Sequence, residues 1–478
     1  MTTSVPRNLI AIIGTTGVGK SQFSIELAKA LNGEIINGDS MQVYRGLDAI
    51  TNKHPIPERE NIPHHLLGHV PWADEYSVQQ FEREALQVID DVYARGKLPI
   101  LVGGTHYYNQ AVIFKNSTLT ESPGTGNYDE RELTEEQLKV LDGPTRGIID
   151  ELKIHDPLVA QKFHPNDGRR LRRALEVFYT TGKKTSDLYL QQKNENEGNG
   201  NGDGEKEVAL DARFRTLVFW IWSEQTQLNK RLDDRVDAML NNSLYSEIDE
   251  MYEEYLKRGG DEETPDLTKG VWQVIGFRQF LPWLSSGKVS SGVLSECVEE
   301  MKRATRKYSK QQTKFMKNTL MPKINTVIER NKKEYSNDHN HDHNYNNHNS
   351  IVATILDATD LSQWSDKVAA TGIKIAHEFV TNQVDNCILV DESDNALREL
   401  LVTPKQFDES QWQTFTCNVC ENSEGQKYVA VGEAQWGQHL KSRKHKGTLS
   451  RVAKMKRNAE EMAKRGIVKK KQKKELEN

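Results

Sequence analysis

Eight residues near the start of the chain have the types and spacing to hold a polyphosphate. They are Gly14-Thr15-Thr16-Gly17-Val18-Gly19-Lys20-Ser21, which fit G-x-x-x-x-G-K-[ST] at every fixed position. The glycines let backbone N–H groups turn inward around phosphate oxygens, and a following helix adds positive potential at its N-terminus. Lys20 supplies a point charge and Ser21 a hydroxyl suited to Mg²⁺. A lone carboxylate, Asp39, follows in Asp39-Ser40-Met41-Gln42-Val43-Tyr44. By spacing alone Asp39 is open to several roles: ribose or metal ligand, helix cap, or general base for an amine or hydroxyl that loses a proton as it attacks. Thr16 and Thr105 are small hydroxyl donors in turns of the same kind.

A kinase of this loop type usually has an Asp closing an apolar strand as a second magnesium anchor. Here the apolar run Leu98–Val102 ends in Gly103-Gly104-Thr105. That weakens a phosphoryl-transfer reading and leaves a P-loop NTPase as a rival.

Further along, Cys417-x2-Cys420, 18 residues, then His439-x5-His445 form a donor set for tetrahedral Zn²⁺. The long middle spacing departs from base-reading DNA fingers and favours contact with an RNA backbone. Phe415 and Trp436 can supply the module's small core. An RNA-binding zinc protein without catalysis is the second rival. The other cysteines, Cys297 and Cys387, are expected to pack as small apolar residues. Four cysteines in 478 residues exclude a disulfide scaffold and fit a reducing compartment.

Two basic stretches stand out. Arg169, Arg170, Arg172 and Arg173 fill the first turns of a helix capped by Asn166-Asp167-Gly168. Arg303, Arg306, Lys307, Lys310, Lys314 and Lys317 lie largely on one face of a second helix. Residues 441–478 hold 15 basic and 4 acidic side chains, while the other 440 hold 49 basic and 65 acidic. A basic tail on an acidic body points to a polyanionic partner. No apolar run approaches the roughly 18–20 residues of a membrane span, so no membrane partner is expected.

These groups need elements to position them. Leu9–Ile13, Glu34–Asn37, Leu98–Val102 and Arg215–Trp222 read as strands, and Ser21–Leu31 as a helix. The fold class is α/β: a P-loop core with a parallel sheet, a helical insertion domain and a C-terminal zinc finger. Ligands of such sheets bind beyond the carboxyl ends of the strands. The loop, Asp39 and Gly103–Thr105 should therefore share one cleft. The expected division is 1–125 and 208–330 for the core, with 126–200 as the insertion domain. Residues 331–350 are an Asn/His-rich linker and 351–410 an extension, followed by the finger at 411–450 and the basic tail at 451–478. Residues 193–207 read as a disordered loop.

In fixed order, several segments resemble the tRNA dimethylallyltransferase (tRNA isopentenyltransferase) family. They are the loop at 14–21, Asp39–Asp48, Thr51-Asn52-Lys53, Pro63–Leu67, Val102–Tyr108, Arg169–Val177, Ile275-Gly276-Phe277 and Thr305–Gln311. The resemblance covers about residues 8–320, and the finger is similar to that of the eukaryotic branch. It implies transfer of a dimethylallyl group from dimethylallyl diphosphate to N6 of adenosine 37 in a tRNA anticodon stem-loop. Residues 14–21 would grip the diphosphate with catalytic Mg²⁺, Asp39 would be the base, and Thr16 would sit near the bridging oxygen. Arg231 and Arg235 are further diphosphate candidates. Ser40, Met41, Gln42 and Thr105, with Asp39, would face the tRNA. Arg169, Arg170, Leu171, Arg172, Arg173, Arg306 and Lys310 would contact it. The finger would hold a structural Zn²⁺. A monomer in the cytoplasm is expected. Lys469–Lys474 fits a nuclear signal or an RNA-binding tail, and the leader Thr2–Arg7 makes a poor mitochondrial transit peptide. An internal start at Met41 would remove the loop.

Overall fold

A continuous apolar run is buried only when both faces of its strand are covered. That is how Leu9–Ile13 lies in the computed structural model, which describes residues 7–115, 117, 133–165, 167–195, 211–261, 265–337, 350–390, 395–401, 414–421 and 427–475. Seven parallel strands form one sheet: β1 (Asn8–Gly14), β2 (Gly33–Asn37), β3 (His64–His65), β4 (Leu98–Val102), β5 (Arg215–Trp222), β6 (Ile351–Asp357) and β7 (Cys387–Leu389). Their order is β3-β2-β4-β1-β5-β6-β7. Side chains alternate between two cores. Leu9, Ala11, Ile13, Val218, Trp220 and Ala353 face one; Ile10, Ile12, Leu217, Phe219, Ile221 and Val352 face the other. Each buried Leu, Ile, Val or Phe side chain contributes about 1.5–3 kcal/mol.

The crossover from β1 runs toward β2, and that from β4 runs the opposite way, toward β5. The crevice between the carboxyl ends of β1 and β4 is thus a topological switch point. A third core packs Val43, Tyr44, Leu47 and Ile50 against Val236, Phe277 and Phe280. It supports the segment after Asp39. Glu247 accepts from the Ala49 and Ile50 N–H groups at 2.8 Å. Buried Lys53 donates to the Tyr44 carbonyl at 2.7 Å and pairs with Asp48 at 3.0 Å.

The chain divides into two compact units, residues 1–122 with 196–404, and 123–195 with 405–478. Residues 351–410 were read as an extension. Within them β6 and β7 lengthen the sheet in register, Thr216 opposite Ile351 and Val352 opposite Cys387. The reason is that Ile351–Leu356, apolar but for Thr354, is another buried run, stable only between two covered faces. Residues 331–337 close the helix Met321–Asn337 rather than opening a linker. The histidines at 339, 341, 343 and 348 and most of the loop at 193–207 lie outside the described residues. The bounds of the other domains remain our reading. Among the described residues no helix is long and apolar enough to cross a membrane.

Within the second unit, helices from Glu135 to Glu195 surround a core of Leu141, Ile148, Leu152, Val159, Leu171 and Leu175. Asp167 caps the helix Gly168–Thr181 through the Arg170 N–H, and Gly182 ends it. The hairpin Thr414–Glu421 and Lys427–Val431 precedes the helices Glu433–Lys441 and Arg443–Glu475. The imidazole of His164 donates to the Val429 carbonyl at 3.0 Å, joining the helical part to the hairpin.

At the amino end of β2, Glu34 is buried beside the His65 imidazole at 2.7 Å and two cations, Arg95 at 2.6 Å and Lys97 at 3.3 Å. Burial works to raise its carboxyl, but hydrogen bonds from Arg95, His65 and Lys97 outweigh it and hold the group down to about 2. A depressed carboxylate contributes stability above its unfolded value near 4.5, which is lost as pH falls toward about 2. Glu34→Gln should therefore cost on the order of 2–3 kcal/mol at neutral pH. Urea melts from pH 7 to 3 should show the gap to wild type closing below about pH 4.5; a constant gap would show that the charge is not the source.

Candidate active site

β1 delivers the phosphate loop to the crevice. Its successor helix begins at Lys20, so the first-turn N–H groups lack intrahelical acceptors and point at the loop. Lys20 Nζ donates to the Thr15 carbonyl at 2.6 Å. Burial pushes its ammonium down to about 8, with Asp39 opposing the shift and Arg235 adding to it. Burial also lowers Arg235 to about 10, again opposed by Asp39. Both cations are half-buried, so an entering anion would replace solvation they have partly lost.

Arg235 donates to Thr16 Oγ1 at 2.9 Å. The hydroxyl thus accepts from a cation, leaving its own hydrogen to donate elsewhere. Arg231, the other arginine expected near the diphosphate, is used differently. Its guanidinium donates to the Ala358 carbonyl at 2.7 Å and to the Thr359 carbonyl, tying its helix to the loop after β6. With a longer contact to Ser223 Oγ at 3.5 Å, these bonds make Arg231 a clamp between its helix and that loop.

The ends of β2 and β4 abut. Gly38 N donates to the Val102 carbonyl at 2.7 Å and Thr105 N to the Gly38 carbonyl at 3.3 Å. Asn37 grips Asp39 from both sides, accepting from its N–H at 3.1 Å and donating to its carbonyl at 3.0 Å. Asp39 Oδ1 accepts from Met41 N at 2.9 Å. Its other oxygen, Oδ2, faces Gly104: a Cβ there would stand 3.3 Å from it and 2.6 Å from Gln312 Nε2. Gly104 keeps this approach open. Thr105 Oγ1 accepts from Ser40 N at 2.9 Å and donates to Ser40 Oγ at 3.1 Å. Gln42 spends its amide hydrogens on the Thr51 and Asn52 carbonyls at 3.1 Å.

Three residues not singled out from the sequence complete the cleft. Gln312, buried on the helix Ser291–Phe315, accepts from Thr16 N and donates to the Gly104 carbonyl, both at 2.9 Å. It joins the phosphate loop to the β4 end beside Asp39. Tyr308, one turn earlier, hydrogen-bonds Thr105 and Gln312; burial, and then Asp39, push its phenol well above the usual range. The available signal was the i, i+4 spacing of Tyr308 and Gln312 on one helical face, masked by the lysines around them. His106 is buried against Phe315, its ring centroid 6.2 Å away. Burial, then Lys20, hold its imidazole down to about 3. Neither ring nitrogen has a hydrogen-bond partner among the described residues.

The two basic stretches fall in different units. Arg306 is held by Asp233, Lys302 pairs with Asp237 at 2.7 Å, and Lys310 is exposed. In the second unit Arg169, Arg170 and Arg173 are exposed; Arg170 pairs with Asp167 at 3.4 Å, Arg172 with Asp142 at 3.0 Å and Arg173 with Glu176 at 3.0 Å. Leu171, expected among the tRNA contacts, is fully buried in that unit's core. Its apolar side chain faces Leu152 and Leu175 because the helix turns its cationic face the other way, and it is a packing residue.

Cys417, Cys420, His439 and His445 place four donor atoms within 4.8 Å of one another. His445 Nδ1 lies 3.5 Å from each sulfur and 3.1 Å from His439 Nε2. Tetrahedral coordination with bonds of about 2.3 Å to sulfur and 2.0–2.1 Å to nitrogen requires such edges, of roughly 3.3–3.8 Å. Phe415 and Trp436 stack beneath with centroids 5.6 Å apart, as expected for the module's core.

Gln312→Leu keeps the volume and removes both bridging bonds. Two buried backbone groups would lose their partners at about 1–3 kcal/mol each. Urea unfolding should show that loss; an unchanged midpoint would mean that water replaces the bridge.

Residues 42–319 match the family model described as IPP transferase. The tRNA dimethylallyltransferase of Saccharomyces cerevisiae is 41% identical over 456 residues, 94% of this chain and 93% of the relative. That of Anoxybacillus flavithermus is 36% identical over 312 residues, 65% of this chain and 88% of the relative. A solved structure of a eukaryotic dimethylallyltransferase acting on tRNA superposes with TM-score 0.74 at 40% identity, covering 95% of this chain and 99% of that one. With over half its length matched and a eukaryotic relative aligned along nearly all of it, this chain belongs to the IPP transferase family.

Proposed function

We propose that this protein transfers a dimethylallyl group from dimethylallyl diphosphate to N6 of adenosine 37, next to the anticodon of tRNA, releasing diphosphate. The observation that carries the reading is the Gln312 bridge. One side chain ties a phosphate loop to the strand end beside a carboxylate with an open oxygen. A group held by its phosphates at one side of the bridge would react with an acceptor held at the other.

In this reading the allylic C–O bond breaks with its electron pair going to the diphosphate, and a C–N6 bond forms. Loop N–H groups, Lys20 and Arg235 stabilise the charge where it accumulates. The Thr16 hydroxyl, polarised by Arg235, donates toward the departing oxygen. Asp39 Oδ2 takes the N6 proton while Oδ1 remains held by the Met41 N–H. Ser21 is the loop donor that would hold a magnesium ion, which when bound neutralises phosphate charge. Adenine must leave its stack to reach Asp39, and this costs less in a loop than in a duplex. Exposed Arg169, Arg170 and Lys310 suit contacts with the tRNA backbone, and the Cys₂His₂ site suits structural zinc. A monomer working in the cytoplasm, with its basic tail serving RNA or nuclear import, completes the reading.

Asp39→Asn preserves shape and removes the base. Transfer of labelled dimethylallyl to tRNA should fall by about 10²–10⁴-fold in kcat. Full activity would exclude Asp39 as the base, and ATP turnover without prenyl transfer would favour a P-loop NTPase. Elemental analysis should find one zinc per chain, lost in Cys417→Ser. That variant should bind tRNA more weakly and with a shallower salt dependence, while kcat at saturating tRNA stays within about threefold. Unchanged affinity would assign the finger another partner.

A further inference from the structure

Trp364 comes from the part of the core that lies beyond the matched span, which ends at residue 319. Its indole rests on the phosphate loop. Gly19 has φ +90°, and a Cβ added there would meet Trp364 Cη2 at 2.6 Å and Cζ3 at 2.7 Å. The indole N–H donates to Glu26, 3.1 Å from Oε1 and 3.4 Å from Oε2, on the helix that the loop begins. One ring therefore touches the last glycine of the loop and bonds to the second turn of its helix.

The segment that carries Trp364 is fastened at several points. Ala358 N donates to the Trp222 carbonyl at 2.7 Å. Arg231 donates to the Ala358 and Thr359 carbonyls. Thr359 Oγ1 accepts from Glu224 N at 2.9 Å, and Asp357 accepts from Thr359 N at 2.8 Å. After Trp364 the chain forms a π-helical turn, Trp364–Ala370, and enters the helix Thr371–Val380. Gly372 on that helix lies so close to Phe23 that a Cβ would stand 2.3 Å from the ring. The added strand β6 thus ends in an arm that meets the loop at Gly19 and its helix at Glu26 and Phe23.

We propose that Trp364 is a positioning residue for the diphosphate. By occupying the outer side of Gly19 it holds the N–H groups of Gly19, Lys20 and Ser21 in a convergent arrangement, so the loop need not be ordered by its ligand. Backbone donors fixed beforehand bind an anion without the ordering cost that mobile ones incur. The effect falls on the diphosphate side alone, because Asp39 and Thr105 are held by Asn37 and Ser40 instead. The proposal rests on residues 14–21 holding the diphosphate of the prenyl donor.

The test uses the full-length protein, Trp364→Ala and Trp364→Phe. The alanine variant should raise KM for dimethylallyl diphosphate about tenfold, with kcat and KM for tRNA within about twofold. The phenylalanine variant, which keeps an aromatic ring on Gly19, should recover most of that loss. Tryptophan emission should change when inorganic diphosphate and Mg²⁺ are added to wild type, and most of that change should vanish in Trp364→Phe. A folded alanine variant with unchanged KM for the donor overturns the proposal, as does a uniform decline of all three constants that follows a drop in Tm. If the alanine variant does not fold, an emission change as large in Trp364→Phe as in wild type overturns it. Wild type that transfers no prenyl group would instead overturn the functional reading itself.

Discussion

The carboxamide of Gln312 is the interaction on which the cleft depends. Its oxygen accepts from the loop at Thr16 and its nitrogen donates to the β4 end at Gly104. Neither backbone group has a strand or helix partner in that position, and a buried unpaired peptide group is costly. The bridge therefore meets a structural demand and sets the gap between phosphate loop and carboxylate in one stroke. Replacing the Gly104 hydrogen by a methyl group would collide with that same amide, so loop, glycine and glutamine form one constraint.

Around the bridge, charge is concentrated where water is scarce. Lys20 and Arg235 both have lowered proton affinity through burial, and Asp39 is the counter-charge that keeps each nearer its ordinary state. Cations so placed interact with phosphate more strongly than exposed ones, because less hydration must be removed on binding. The same desolvation holds His106 neutral next to Lys20, so it adds no third positive charge to the cluster. The cleft is thus asymmetric. Cationic groups lie on the loop side, and an open carboxylate oxygen lies on the side of the β2 and β4 ends.

The second unit handles its charge in another way. Its arginine-rich helix buries Leu171 and Leu175 and pairs Arg170, Arg172 and Arg173 with carboxylates, while Arg169, Arg170 and Arg173 lie at the surface. Four arginines in sequence therefore amount to three exposed side chains, two of them held by carboxylates on their own helix or its cap. The Cys₂His₂ cluster and the stacked Phe415–Trp436 pair supply a core that a hairpin and a helix of this size could not build from apolar residues alone.

Local chemistry was legible from the sequence where it is carried by neighbours in the chain. The phosphate loop is such a case, since its glycines, Lys20 and Ser21 act through a single turn. So are the apolar strands and the cysteine and histidine spacings, each set by short-range geometry. The anchoring of Arg231 and the burial of Leu171 were not legible because their partners, the Ala358 carbonyl and the 141–175 core, are invisible in a linear pattern. The strand Ile351–Asp357 went unrecognised behind a low-complexity stretch that masks its continuity with the sheet. Gln312 and Trp364 are nearly 300 and 345 residues from the loop they touch. The sequence alone determined which groups can hold a phosphate and which can ligate a metal. The tertiary structure decided which oxygen of Asp39 is open, which arginine reaches Thr16, and what pins the loop. Those depend on contacts between strand ends and helices that only sheet order and burial bring together.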